Sequence, residues 1–517
     1  MTANRRRGRA LGLLATAILS LAPALSIAPV ARAAQDEPKP AREPSAPQPP
    51  LDLPAHVETR HTIQLGQRSL DYRAVAETIA LTDAKGSETA SVFTISYLAD
   101  PKPGQLRPVA FLFNGGPGAA AVFLHLGAVG PRVMEDTPTG AVPNPPVRIV
   151  DNPSTWLDFT DLVFVDPVGT GFSRGRGKDD NPSKPFWNVH ADIESLDSIV
   201  RLWLTKHERW SSAVYLVGES YGGFRVGAMA KSLPRDEGIT PSGIIMISPA
   251  LDTAMLNPDP AALIAGAVEL PTFAASAAAL SGKADFDTAP AERFALTDYL
   301  TGLAAIKGVP PPGDPFIAKV AAMIGLPEDI VRRERGWVGK EVFAHELRRG
   351  QNEVLSLYDA TITRPSPGNP WDQTAGDPIL DHAIAAYTAA FNAYAPDGLG
   401  YHTELPYRVL PMTVNRQWSF DGAREGQDGL GLALSGLQTD LLEHPATKVL
   451  IANGRYDLVT PYFASRWLVD QLAIPEEARE AIRTKVYDGG HMMYLRPQSR
   501  DALAADAAAL FAGTKAP

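Results

Sequence analysis

The fold of this chain is decided by the stretch Ala213-Val-Tyr-Leu-Val-Gly-Glu-Ser-Tyr-Gly-Gly-Phe-Arg225. The stretch begins as a continuous apolar run, turns at residues 218–222, and continues with apolar side chains at helical spacing. The glycines at both ends of the turn remove Cβ atoms where the two backbone segments come closest. The pattern therefore predicts a strand, a strained turn and a helix, with the hydroxyl of Ser220 clear of the sheet.

This context makes the Gly-x-Ser-x-Gly turn typical of an α/β-hydrolase. Other continuous apolar runs alternate with helical patterns, which predicts a mainly parallel sheet covered on both faces. Between residues 57 and 100, short runs alternate apolar and polar residues, as in antiparallel strands. We therefore predict an α/β protein of the α/β-hydrolase fold, with a central, mostly parallel sheet, antiparallel N-terminal strands and a helical cap insertion.

Changes of pattern divide the chain into predicted segments. Alanine-rich, amphipathic stretches such as Ala291 to Ile306 and Val342 to Leu357 separate the early apolar strands from the late ones. Seven prolines between residues 38 and 54 indicate a tether without a fold of its own. The predicted segments are a signal peptide (1–33), a Pro-rich linker (34–58), the first part of the hydrolase core (59–254), the helical cap insertion (255–440) and the second part of the core (441–517).

The composition excludes several classes of site and partner. The chain has 517 residues, of which 45% are hydrophobic and 21% are charged, as in a globular protein with a large core. Its net charge of -10 indicates no basic surface for nucleic acid. Because the chain has no cysteine, thiol nucleophiles, disulfides and thiolate metal sites are excluded. We also expect no cofactor and no metal.

The N-terminus is typical of an export signal. Four arginines within the first nine residues precede an uncharged run from Ala10 to Ala31, and Ala31-Arg32-Ala33 offers small residues for cleavage. The alternative is a signal anchor that stays in the membrane, but Pro23 and Pro29 favour cleavage. We predict an exported protein, periplasmic or secreted, without a stable membrane anchor, because no later segment is predicted to span a bilayer.

A serine nucleophile needs a base, and the base needs an orienting carboxylate. In α/β-hydrolases these residues follow the serine in the order Asp or Glu, then His, on loops after later strands. His491 follows the last predicted strand, whereas His444 precedes a strand and is predicted to be a surface residue. Asp457 follows the strand at 449–452 and is the predicted acid. Asp488 is the alternative, although it is too near His491 in sequence to orient it easily.

Attack on a carbonyl also requires N–H donors for the developing oxyanion. One predicted donor is Tyr221, the residue after the nucleophile. The other is expected from the glycine turn Asn114-Gly-Gly-Pro-Gly118, which follows an early apolar strand. Two adjacent glycines at the carboxyl end of a parallel strand favour this function over a plain β-turn.

Four separated motifs resemble the serine carboxypeptidase family: Asn114-Gly-Gly-Pro-Gly118, Val165-Asp-Pro-Val-Gly-Thr-Gly-Phe-Ser173, Gly218-Glu-Ser-Tyr-Gly-Gly223 and Gly490-His-Met492. The resemblance covers roughly residues 60–254 and 445–517. It implies a triad of Ser220, Asp457 and His491, and an oxyanion hole formed by the backbone of Gly116 and Tyr221. It further implies that Asn114, the N–H of Gly115 and Glu219 contact the free carboxylate of a peptide substrate.

The chain departs from the family pattern beside Glu219. In eukaryotic members the corresponding carboxylate shares a proton with a second glutamate, and an ungapped alignment puts Ala128 in that place. Two carboxylates that share a proton raise one pKa, so that an acid can donate to a substrate carboxylate. Without the partner we expect Glu219 to ionise, which weakens or shifts the acidic preference or relaxes the demand for a free C-terminus, unless an acid such as Glu135 substitutes.

Three functions are compatible with these residues. The first is a serine carboxypeptidase-like hydrolase that cuts peptide bonds near a free C-terminus through an acyl-enzyme. The second keeps the triad but acts as an esterase or an aminopeptidase, which the fold alone does not separate from the first. The third is a binding protein that has lost catalysis, and the intact triad and glycine turn count against it. We predict the first.

Overall fold

A computed structural model describes residues 53–100, 106–137, 139–256, 262–283, 285–366, 376–420 and 431–513. The predicted signal peptide lies outside these residues, as does the predicted linker up to residue 52. The first strand begins at His56, inside the range 34–58 predicted as linker. Because Val57 already pairs with Ala76 of the next strand, the linker ends before residue 56.

The described residues contain these strands: β1 (His56–Leu65), β2 (Arg68–Thr82), β3 (Glu88–Ala99), β4 (Val109–Phe113), β5 (Arg132–Met134), β6 (Ile149–Asp151), β7 (Asp161–Val165), β8 (Arg174–Gly175), β9 (Val214–Glu219), β10 (Gly243–Ile247), β11 (Glu353–Leu355), β12 (Thr363–Pro365), β13 (Lys448–Gly454) and β14 (Ile482–Tyr487). One large sheet has the order β1-β2-β3-β7-β4-β9-β10-β13-β14, and β8 pairs with β3. Neighbours from β1 to β7 are antiparallel, and all later neighbours are parallel. This arrangement is that of an α/β-hydrolase, and the predicted fold class is confirmed.

Helices cover both faces of this sheet. They are α1 (Val122–Leu124), α2 (Val189–Lys206), α3 (Tyr221–Ser232), α4 (Thr253–Leu256), α5 (Leu263–Leu280), α6 (Ala289–Phe294), α7 (Leu300–Ala305), α8 (Pro315–Ile324), α9 (Glu328–Arg333), α10 (Lys340–Glu346), α11 (Leu380–Leu399), α12 (Met412–Arg416), α13 (Leu432–Glu443), α14 (Tyr462–Asp470), α15 (Glu476–Glu480) and α16 (Pro497–Gly513). Successive side chains of a strand point to opposite faces. Phe111 therefore packs with α2, α3 and α13, whereas Leu112 packs with α11 and α16.

The span 255–440, predicted as one helical cap, has two parts in the structure. Helices α5 to α10 form a separate apolar cluster that includes Tyr456 and Leu458, on either side of Asp457. Helices α11 and α13 pack on the two faces of the sheet instead. The helices that cap the site are therefore fewer than the pattern of the sequence indicates.

The helix predicted over Val342 to Leu357 is wrong in its second half. Helix α10 ends at Glu346, and residues 353–355 form strand β11, which pairs with β12. Between them, Asn352 has a φ of 56°, a left-handed conformation that a right-handed helix cannot contain. The buried apolar residues after this turn therefore belong to strand β11 and not to a continuation of helix α10.

Helix α5 corrects the prediction that no later segment reaches the length and apolarity of a membrane span. By length and composition alone, its 18 residues could cross a bilayer. However, 72% of the stretch is buried inside the protein, where its alanines pack against other helices of the insertion. A core helix of this composition passes the same test as a membrane span.

Candidate active site

The turn between β9 and α3 holds Ser220 in a strained backbone conformation. Its φ of 60° and ψ of -122° are rare for a residue with a side chain. A Cβ on Gly218 would overlap the carbonyl of Gly222, and a Cβ on Gly222 would overlap the carbonyl of Phe113 in β4. The Ser220 amide donates to the carbonyl of Ile247 in β10 at 2.9 Å. The turn can therefore close only with glycines at these positions, and the neighbouring strands fix its place.

His491 and Asp457 form a buried pair at the carboxyl ends of β14 and β13. The Nδ1 of His491 donates to Oδ2 of Asp457 at 2.8 Å, and both side chains are almost fully buried. Asp457 also accepts from the amides of Val459 and Thr460, at 2.8 and 2.9 Å, and from the Thr460 hydroxyl at 2.6 Å. With Nδ1 engaged, Nε2 is the ring nitrogen that remains to accept a proton.

The structure separates the other two candidates from this pair. Asp488, the alternative acid, forms an ion pair with Arg496, and its side chain is 61% exposed. His444 lies after α13 and contacts Asp440 of the same helix at 3.1 Å. Asp457 is thus the carboxylate that the structure puts against His491.

The remaining predicted residues meet around one cavity of about 750 Å³. Its wall includes Asn114, Gly115, Gly116, Glu219, Ser220, Tyr221 and His491. Helices and loops of the insertion complete the wall, among them residues Lys340 and Tyr358. Asp457 is fully buried behind His491. The elements at the carboxyl ends of β4, β9 and β14 therefore open onto a common space.

The glycine turn after β4 lies directly against the Ser220 turn. A Cβ on Gly115 would overlap the amide nitrogen of Tyr221, and Gly116 has a φ of 102°, which favours glycine. Tyr221 is the first residue of α3, so its N–H has no carbonyl acceptor within the helix. The two predicted oxyanion donors thus belong to adjoining backbone segments, which supports their assignment without fixing an oxyanion position.

Arg225, a residue that the sequence did not single out, holds this turn in place. Its guanidinium is completely buried and pairs with Asp192 of α2, with a distance of 2.7 Å from Nε to Oδ2. It also donates to the backbone carbonyls of Asn114 and Gly115. The sequence did contain a signal for this residue: Arg225 lies among the apolar residues of α3, and a charged residue that is buried needs a partner of opposite charge.

Glu219 is buried with a hydrogen-bond donor on each carboxyl oxygen. Asn114 donates to Oε2, and the Tyr494 hydroxyl donates to Oε1 at 2.8 Å. Burial raises the pKa of Glu219 to about 7, although the charge of His491 and these two hydrogen bonds oppose the rise. Tyr494 lies three residues after His491 and was missed, because nothing in the sequence distinguishes a buried tyrosine partner from a core aromatic residue.

This burial corrects the expectation that Glu219 ionises for want of a second carboxylate. Ala128 is buried within a turn of π-helix, His125–Val129. Glu135 does not substitute, because it is exposed and pairs with Arg148 at the surface. Desolvation does what a second carboxylate was expected to do, and it keeps Glu219 protonated at acidic pH.

The pKa of His491 is set by opposing effects. Burial lowers it, whereas the charge and hydrogen bond of Asp457 and the charge of Glu219 raise it, and the net shift is upward. A base that gains a proton next to a fixed carboxylate is stabilised as imidazolium. The pair is therefore suited to take a proton from Ser220 and to return it later.

The Asp166–Ser173 motif supports the site from outside its cavity. Asp166 is buried and accepts from the Ala121 amide at 2.9 Å and the Tyr407 hydroxyl at 3.1 Å. The Ser173 hydroxyl donates to the Asp166 carbonyl at 2.6 Å. The motif thus anchors the segment after the glycine turn to the loop after β7.

Two solved structures are similar to this chain at low sequence identity. The crystal structure of VinJ is 14% identical, with a TM-score of 0.32, over 87% of this chain and 98% of VinJ. The crystal structure of esterase E22 is 12% identical, with a TM-score of 0.36, over 86% of this chain and 100% of that structure.

Curated relatives match shorter stretches at higher identity. Serine carboxypeptidase-like 9 of Arabidopsis thaliana is 26% identical over 153 residues, which cover 29% of this chain and 33% of the relative. Pheromone-processing carboxypeptidase kex1 of Aspergillus fumigatus is 31% identical over 136 residues, which cover 25% of this chain and 18% of the relative. The matched part therefore spans a third or less of the length of these relatives.

Residues 81–242 match the sequence model of a family described as serine carboxypeptidase. The matched part contains the Asn114 turn, the Asp166 motif and the Ser220 turn, whereas Asp457 and His491 follow it. Through this match and the curated relatives, part of the chain is similar to the serine carboxypeptidase family.

Proposed function

We propose that this protein is a serine carboxypeptidase-like peptidase that hydrolyses peptide bonds near a free C-terminus. One observation carries the proposal: the buried His491–Asp457 pair and the strained Ser220 turn open onto the same cavity as Glu219, whose carboxyl group is desolvated. The first two provide an activated nucleophile. The third provides a neutral acid for a substrate carboxylate.

In the proposed reaction, Nε2 of His491 takes the proton of Ser220 while Oγ attacks the scissile carbonyl. The N–H groups of Gly116 and Tyr221 stabilise the oxyanion of the tetrahedral intermediate. The imidazolium then protonates the leaving amine, and an acyl-enzyme forms on Ser220. Water, deprotonated by His491, attacks the ester and releases the acid. Asp457 remains ionised throughout and holds the imidazole in one tautomer.

Recognition of the free C-terminus is proposed for Asn114, the Gly115 N–H and Glu219. A protonated carboxyl group can donate a hydrogen bond to a carboxylate, whereas an ionised one repels it. The pKa of Glu219, raised to about 7 by burial, keeps it neutral at acidic pH. The proposed enzyme therefore favours free acids most strongly below pH of about 7.

The test compares three substrates with purified protein: a peptide, its C-terminal amide and a simple ester. We expect kcat/KM to fall when the C-terminus is amidated and a fluorophosphonate to label Ser220, with no labelling in Ser220→Ala. Indifference to amidation, with labelling intact, would assign the site to an esterase or aminopeptidase. Absence of labelling in the wild type would favour a binding protein.

For the cellular location we propose an exported protein, periplasmic or secreted. The proposal rests on the arginine-rich start, the uncharged run and the small residues at positions 31–33. Fractionation of the native host, with an antibody to the mature chain, tests it. A full-length, membrane-bound product would instead indicate a retained anchor.

A further inference from the structure

A second cavity of about 600 Å³ lies next to the cavity that holds Ser220. The two share wall residues Leu256 and Lys340, so they adjoin at these side chains. The second cavity is formed by the insertion, and its apolar wall comes mainly from Leu263, Leu303, Ile306 and Trp337. It has room for a substrate residue that extends from the catalytic cavity.

Lys340, the first residue of α10, carries the charge on the shared wall. Its ammonium donates to the carbonyl of Leu256 at 2.7 Å. Among the ion pairs between described residues, none involves Lys340. A lysine has three N–H donors, so among the described residues this contact leaves two for a bound group.

Glu269 of α5 is the other polar group that sets the character of the second cavity. It is only 4% exposed, and its Oε2 has no hydrogen-bond partner among the described residues. Burial raises the pKa of Glu269 to about 8, against the opposing charge of Lys340. The raised pKa favours the protonated form of Glu269, which can donate a hydrogen bond and does not neutralise the charge of Lys340.

The other charged residues of this wall do not change the sign of the charge that Lys340 offers to a ligand. Glu334 accepts from Arg333 at 2.9 Å, so its charge is already paired. Arg335 and Glu341 carry opposite charges and are exposed. Among the described residues, a cation with two donors left, a buried carboxyl group of raised pKa and an apolar lining together suit a ligand with an apolar stem and an anionic end.

We propose that Lys340 binds a carboxylate of the substrate, in the region where the catalytic cavity meets the second cavity. This inference rests on the proposed function and adds a substrate class to it: peptides that carry an acidic side chain on the acyl side of the scissile bond. The same chemistry is present in the C-terminal carboxylate, and the experiment separates the two sources.

The test measures kcat/KM for two pairs of peptides. One pair differs only by Glu or Gln on the acyl side, and the other only by a free or amidated C-terminus. For a charge-assisted contact we expect the kcat/KM of the wild type to be about tenfold higher for the negatively charged peptide in one of the two pairs. Lys340→Gln is expected to bring that ratio to about one, and Lys340→Arg to retain most of it. Lys283→Gln, at an exposed lysine of the insertion, is the control that leaves both ratios unchanged.

The outcomes separate the two sources. A loss confined to the Glu/Gln pair assigns an acidic side chain to Lys340, and a loss confined to the acid/amide pair assigns the C-terminal carboxylate. Equal ratios in wild type and Lys340→Gln overturn the inference. The Glu/Gln comparison is repeated with acyl esters that carry a carboxylate or an amide. If the wild type cleaves only the esters, the peptidase function fails and the ester pair still tests Lys340.

Discussion

Replacing Glu219 with glutamine should remove a loss of stability that the wild type undergoes as the pH rises. Burial raises the pKa of Glu219 from 4.5 to about 7, so this carboxyl stays protonated in the folded chain at pH values where the unfolded chain ionises it. A raised carboxyl pKa means that stability is present below the unfolded pKa and is lost as the pH rises toward the folded pKa. With about 1.4 kcal/mol for each pKa unit, the loss between about pH 5 and about pH 8 is about 2 to 3 kcal/mol.

The assay is equilibrium unfolding in urea, followed by fluorescence, for wild type and Glu219→Gln at both pH values. Glutamine does not titrate, and its amide oxygen can still accept from the Tyr494 hydroxyl. Other buried acids, such as Asp166 and Glu269, contribute equally to both proteins. The difference between the two curves therefore isolates Glu219, and Glu135→Gln, at an exposed glutamate, is the control.

We expect the stability of Glu219→Gln relative to wild type to rise by about 2 to 3 kcal/mol from acidic to alkaline pH. The same comparison for Glu135→Gln should change by less than about 0.5 kcal/mol, as is usual at the surface. Parallel pH dependence in wild type and Glu219→Gln would refute the reasoning, because it would mean that Glu219 is already ionised in the folded protein. The proposed donor to a substrate carboxylate would then be lost as well.

Three further predictions follow from the site. Asp457→Asn should lower kcat/KM by about 10⁴-fold, because the amide favours the wrong tautomer of His491; a loss below tenfold would contradict the pairing. In Tyr494→Phe, the preference for free acids over amides should be lost at a higher pH than in the wild type, because the hydrogen bond from Tyr494 lowers the pKa of Glu219. An unchanged pH profile would exclude this role. Gly222→Ala should abolish fluorophosphonate labelling, because its Cβ would overlap a backbone carbonyl of β4; normal labelling would show that the turn can rearrange.

The parts of the molecule that could be predicted are those specified by local patterns. The strand before Ser220, the glycines of its turn and the helix after it are encoded within a dozen residues, and the structure has them in that order. The continuous apolar runs became buried strands because a sheet covered on both faces buries every side chain. The proposed triad rests on the same logic, since loops after parallel strands meet at one edge of the sheet.

Contacts between distant elements could not be predicted in this way. The pairing of Arg225 with Asp192 joins α3 to α2, and the hydrogen bond of Tyr494 to Glu219 joins the end of the chain to β9. The pKa of Glu219 depends on the burial that these elements create together. The missing second carboxylate at Ala128 therefore led to the wrong expectation that Glu219 ionises. Likewise, the helical pattern beyond Glu346 gave no warning of the left-handed turn at Asn352.

The order of the strands has a consequence for the biosynthesis of the protein. Ser220 leaves the ribosome before the insertion, whereas His491 follows only after the insertion and β14. A nascent chain that has folded only its first strands carries a nucleophile without a base. We therefore expect the proposed hydrolytic activity to arise only after β13 and β14 have joined the existing sheet, and a product truncated inside the insertion to be inactive.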